Sequence, residues 1–99
     1  MLFTAHGPVR ADGTIETGPA EQQIALTFDN LTQALQAAGS HSDNVLQVII
    51  YLTDVNDVAR LDDIYQRYFN APYPNRSTVI VDKLVVPGMK IEITVSATA

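Results

Sequence analysis

The chain has 99 residues, 46% of them hydrophobic and only 17% charged, with a net charge of −5 and neither cysteine nor tryptophan. That length supports one core, so residues 1–99 are expected to form a single domain. Six scattered basic residues argue against a nucleic-acid partner, and the lack of cysteine excludes disulfides, thiolate chemistry and Cys-based metal sites.

In chain order, Met1-Leu2-Phe3-Thr4-Ala5-His6 lacks the basic start and long apolar core of a secretory signal. No later apolar run approaches the roughly 18 residues that span a bilayer. A cytoplasmic protein without a membrane partner is therefore expected. Leu2 to Ala5 reads as a short strand, and Gly7 to Thr14 as a loop broken by Pro8 and Asp12-Gly13. Gly18-Pro19 opens a helix with Glu21 in its first turn. Ile24, Phe28, Leu31, Leu35 and Ala38 then recur at helical spacing up to Gly39, a suitable C-terminal cap.

Val45 to Leu52 is nearly continuous and β-branched, which predicts a strand buried on both faces. Asp54 to Asn56 caps a second helix running to about Phe69, with Val58, Leu61, Tyr65 and Tyr68 inward. Pro72 and Pro74 enforce a loop. Strands at about Ser77–Leu84 and Met89–Ala97, joined around Pro87-Gly88, read as a closing hairpin. The order β-α-β-α-β-β predicts an α+β domain with both helices on one face of a mixed sheet. The other face would be bare in a monomer. With the low charge content, against about 25% in an average domain, that face points to an oligomer.

Chemistry has few candidates. Arg76 stands at the mouth of the third strand, and Glu92 follows sixteen residues later inside the fourth. A guanidinium grips a carboxylate with two parallel hydrogen bonds, and a neighbouring carboxylate orients water. In a hairpin the two groups would be close, and together they suggest hydrolysis of a small carboxylate-bearing compound. His6 and His41 lack ligand spacing, so no metal is expected. His41 belongs to a solvated connector. No Gly-rich phosphate loop or nucleophile arrangement is present.

The stretches Asp29-Asn30-Leu31 to Ala37-Ala38-Gly39, Val48 to Asp57, Tyr65-Gln66-Arg67-Tyr68-Phe69, Pro74-Asn75-Arg76-Ser77-Thr78-Val79 and Lys90-Ile91-Glu92-Ile93 resemble the RidA (YjgF) family of reactive-intermediate imine deaminases. The resemblance covers most of the chain from Leu2 to Ala97. It implies a chorismate-mutase-like fold, a homotrimer with sites between subunits, and hydrolysis of 2-imino acids to 2-keto acids and ammonia without any cofactor. Arg76 matches the family's carboxylate-binding arginine and Glu92 its water-positioning glutamate. Thr78 stands where many members have a cysteine whose backbone amide contacts substrate.

The family's Ser-Gly after the first strand corresponds here to Ala5-His6, or to Ala5 with a shifted Gly7, so the serine hydroxyl is missing and Ala5 and His6 become candidate lining residues. Asp62 replaces an asparagine of the second helix. The resemblance is that of an N-terminally short member, in which the tyrosine that lines the family's pocket is not expected. Two further readings accompany the enzyme. One is a non-catalytic, trimeric small-carboxylate-binding or chaperone-like protein. The other is the ribonuclease activity attached to some relatives, which the acidic balance disfavours.

Overall fold

A computed structural model describes all 99 residues. Four strands and two helices follow one another as β1 (Leu2–His6), α1 (Ala20–Ala37), β2 (Val45–Leu52), α2 (Val58–Tyr65), β3 (Asn75–Ile80) and β4 (Ile91–Ala97). The sheet order is β1-β4-β2-β3, with β2 parallel to β3 and β4 antiparallel to both β1 and β2. Both helices pack on one face, as expected.

The α1 helix buries Ile24, Phe28, Leu31 and Leu35 against Val48, Ile50, Ile91 and Ile93 of the two central strands. It ends where expected. Gly39 adopts φ 74°, its N–H donates to the Gln36 carbonyl, and the Ser40 N–H donates to the Leu35 carbonyl at 2.8 Å. That pair of bonds closes the last turn as a Schellman motif. Pro19 sits at the cap rather than at the first helical position. The second helix is shorter than its apolar spacing suggests. Its regular part stops at Tyr65, and turn-type bonds such as Tyr68 N–H to the Tyr65 carbonyl carry the chain on to Phe69.

One expectation is corrected: β3 and β4 do not form a hairpin, because β2 lies between them. The connection from Val81 to Lys90 crosses over, and β4 arrives antiparallel to β2, where Ile91, Ile93 and Val95 can face the helices beside Val48 and Ile50. In the single chain β2 is buried on one face and bare on the other, as expected of a monomer. Val48, Ile50 and Leu52 are buried, while Gln47, Ile49 and Tyr51 alternate with them on a face that carries no helix.

Gln23 fixes how β4 enters. This fully buried side chain donates to the carbonyls of Gly18 and Gly88, both at 3.0 Å, and accepts from the Lys90 N–H at 2.8 Å. One amide thereby satisfies three backbone groups and ties the start of α1 to the loop before Ile91. Gly88 is held at φ 85° there, and a Cβ would come within 2.9 Å of Thr17. No helix is long and apolar enough to cross a membrane.

Candidate functional site

Arg76 lies at the junction of β3 and α2. Its register partner is Val48, so its side chain stands on the helix-covered face. There the Nε donates to Thr78 Oγ1 at 2.9 Å, Nη2 is 2.8 Å from Asp62 Oδ1, and Cζ lies 4.7 Å from the centre of the Tyr65 ring. The guanidinium is thus a held cation, stacked on an aromatic face and about one quarter exposed, at 23%. Asp62, Tyr65 and Gln66 share one side of α2 by their i, i+3, i+4 spacing. With Tyr73, Pro74 and Arg76 they line a hollow of about 330 Å³.

The aromatic floor is continuous with the core. Tyr65 meets Phe69 edge-on at 4.6 Å and packs near Phe28 at 5.7 Å. Its hydroxyl is buried without a hydrogen-bond partner. Burial pushes that phenol up to about 12 and outweighs the opposite pull of Arg76, so Tyr65 stays neutral at physiological pH. Tyr68 is also raised to about 12, by burial and by its bond to Asp29, to which its hydroxyl donates at 2.6 Å.

Thr78 serves the site in two ways. Its hydroxyl holds Arg76, and its amide points away from the sheet. The Val81 N–H donates to the Leu52 carbonyl at 2.8 Å, so Val79 and Ser77 also turn their backbone groups toward β2. By alternation the Thr78 N–H lies on the unpaired outer edge of β3, open to a ligand or another chain.

Glu92 does not join them. Its partner across the ladder is Tyr51, on the bare face, and its neighbours Ile91 and Ile93 are buried on the other side. Arg76 and Glu92 are two strands and three residue steps apart, about 14 Å between backbones, and on opposite faces. The sheet that was expected to unite them separates them within one chain. Ala5 pairs with Thr94 and shares the bare face with Glu92 and Phe3.

His6 pairs with Ile93 and turns to the helix side at the far edge from Arg76. It lines a separate hollow of about 450 Å³ with Gly7, Arg10 and Asn30, and its Nε2 lies 2.7 Å from Thr4 Oγ1. Burial lowers its pKa below the ordinary 6.5. His41 is exposed, and its Nδ1 accepts from the Asp43 N–H. No three His, Asp or Glu side chains gather in a way that could hold a metal ion.

One chain therefore holds the Arg76 guanidinium beside an open hollow, with Glu92 on the opposite face of the sheet. Sequence reasoning placed Tyr65 in the core, where it is, but missed that its ring also carries Arg76. It noted Asp62 only as a departure from a pattern, although the i, i+3 spacing to Tyr65 was readable.

This fold is shared by known proteins. The profile of the endoribonuclease L-PSP family matches residues 1–99, and the chain belongs to that family, also called YjgF/RidA. The protein mmf2, mitochondrial, of Schizosaccharomyces pombe is 34% identical over 94% of this chain and 75% of its own length. The 2-iminobutanoate/2-iminopropanoate deaminase of Bos taurus is 30% identical over 84% of this chain and 60% of its own length. The crystal structure of E. coli TdcF with bound serine superposes with a TM-score of 0.87 at 29% identity, covering 98% of this chain and 79% of that one. For eight of the curated relatives it matches, the chain spans from 53% to 75% of their length.

Proposed function

We propose that the chain is a homotrimeric hydrolase of 2-imino acids, in which Arg76 clamps the substrate carboxylate and Glu92 of an adjoining copy orients water. The observation that carries the reading is the held guanidinium of Arg76, fixed by Thr78 and Tyr65 beside an open hollow. Relatives named for imine deamination and a neighbour with bound serine support a small carboxylate-bearing substrate.

The chemistry asks little of the protein. Water adds to C2 of the imine, and the resulting carbinolamine expels ammonia to leave the keto acid. Clamping the carboxylate fixes the adjacent C2 for attack. Glu92 accepts a hydrogen bond from the water, takes its proton as the C–O bond forms, and returns it to the leaving nitrogen. The outward Thr78 amide is a donor beside the clamped carboxylate. Since Arg76 and Glu92 occupy opposite faces, they serve one site only where the β3 edge of one copy meets the bare face of another. Ala5 lies on that face, whereas His6 turns to the helix side and stays outside the site.

Imines generated in situ by an amino-acid oxidase provide the test, read as keto acid or ammonia. Arg76→Ala should lower the rate by about 10²-fold or more, the scale of a lost charge-assisted pair of bonds. An unchanged rate would refute the clamp.

A second reading, a trimeric small-carboxylate binder without catalysis, is favoured by the separation of Glu92 from Arg76. It predicts keto-acid binding with a silent imine assay. Ribonuclease action finds less support, because Arg10 pairs with Glu16 and Lys90 Nζ bonds the Gly18 carbonyl. Little cationic surface is left for phosphates. A cytoplasmic location belongs with this proposal.

A further inference from the structure

We propose that Asp62 is the specificity residue of the Arg76 site, selecting ligands with a cationic nitrogen on the carbon next to their carboxylate over plain carboxylates. This rests on the reading of Arg76 as a carboxylate clamp and adds the charge pattern of the substrate.

Arg76 is held from three sides, and the three contacts differ in kind. Thr78 takes the Nε and Tyr65 the ring-facing surface. Both are neutral and leave the Nη edge free. Asp62 does not, because its Oδ1 lies 2.8 Å from Nη2, on the edge that an incoming carboxylate needs. Its side chain is 50% exposed, so it can swing aside without disturbing the core.

The cost of that displacement depends on the ligand. A simple anion, such as a keto acid, evicts Asp62 and leaves two carboxylates side by side in the hollow. A ligand bearing an ammonium or protonated imine nitrogen brings the missing positive charge. Asp62 then exchanges Arg76 for that nitrogen, and each carboxylate keeps a cation. Tyr65, raised to about 12, contributes no charge to this balance. The protonated imine of a 2-imino acid has the favoured pattern, and its keto-acid product lacks it. The site therefore holds substrate and releases product by the same charge rule.

The test is calorimetric titration of the full chain with 2-aminobutyrate and 2-oxobutanoate, which share a carbon skeleton and differ in the nitrogen. The unsubstituted protein should prefer 2-aminobutyrate by about tenfold, the size of one charge-assisted contact at a half-exposed site. Asp62→Asn should erase that preference by tightening 2-oxobutanoate and weakening 2-aminobutyrate, and Asp62→Ser should do the same. Circular dichroism checks that the exposed substitutions leave the fold unchanged.

If both variants retain the preference while Arg76→Ala abolishes binding of both ligands, the specificity role is overturned and the clamp stands. If Arg76→Ala leaves both affinities unchanged, or if neither ligand binds the unsubstituted protein or Asp62→Asn, both ideas are overturned.

Discussion

The corner formed by β3 and α2 and the bare face of the sheet are built by opposite means. The corner is complete within one chain: Arg76 has a hydroxyl acceptor, an aromatic floor and a counter-ion, all from residues 62–78. The bare face has an alternating row of Phe3, Ala5, Gln47, Ile49, Tyr51, Glu92 and Thr94, but nothing lies over it. Phe3 is 78% exposed there. A chain can preorganise a cation using its own core, because Tyr65 is simultaneously core and platform. It cannot bury a carboxylate on a sheet face without a second layer. The held guanidinium is therefore a property of the chain, and a site shared with Glu92 would be a property of the assembly.

Several substitutions would break or sharpen that contrast. The largest effect is expected from Phe3→Asp, which puts a charge into the face proposed to meet its neighbours. Sedimentation should show the mass falling to that of one chain, and imine hydrolysis should vanish although the Arg76 corner is untouched. A fully active monomer would end the assembly argument.

Glu92→Gln comes next. Turnover should fall about 10²-fold, the usual loss for a positioned base. Titration should show keto-acid affinity little changed, because Arg76 lies on the other face. Equal losses in binding and turnover would mean that Glu92 also holds the carboxylate.

Arg76→Lys keeps the charge but loses the fork that binds two oxygens. About a tenfold rise in KM is expected in steady-state kinetics, smaller than for Arg76→Ala. Thr78→Ala removes only the neutral acceptor that orients Nε, a bond worth about 1 kcal/mol. KM should rise about fivefold, and the outward amide should be unaffected.

The smallest expected effect is the pH response of His6. Burial lowers its folded pKa below the ordinary 6.5, so folding favours the neutral ring. Its stabilising contribution is full above that ordinary value and is lost as pH falls through the lowered one. Thermal melts should show a modest decline in Tm on acidification that His6→Gln flattens. A slope unchanged by the substitution would assign the acid sensitivity to other groups.

Much of this protein was legible in its residues. The period of Ile24, Phe28, Leu31 and Leu35 fixed α1, Gly39 its end, and the β-branched run Val45–Leu52 the central strand, because these signals are local. Arg76 and Glu92 stood out as candidates because few other residues of the chain could supply such chemistry.

What the chain alone did not reveal was partnership across the sheet. Val79-Ile80-Val81 and Ile91-Glu92-Ile93 are adjacent strands in sequence and look like a hairpin. Only the need to place Ile91, Ile93 and Val95 beside Val48 and Ile50 under the helices inserts β2 between them. Strand order follows from burying one shared apolar face, a sum over the whole domain that no local pattern encodes. That same sum put Arg76 over Tyr65 and against Asp62, and turned Glu92 to the uncovered side.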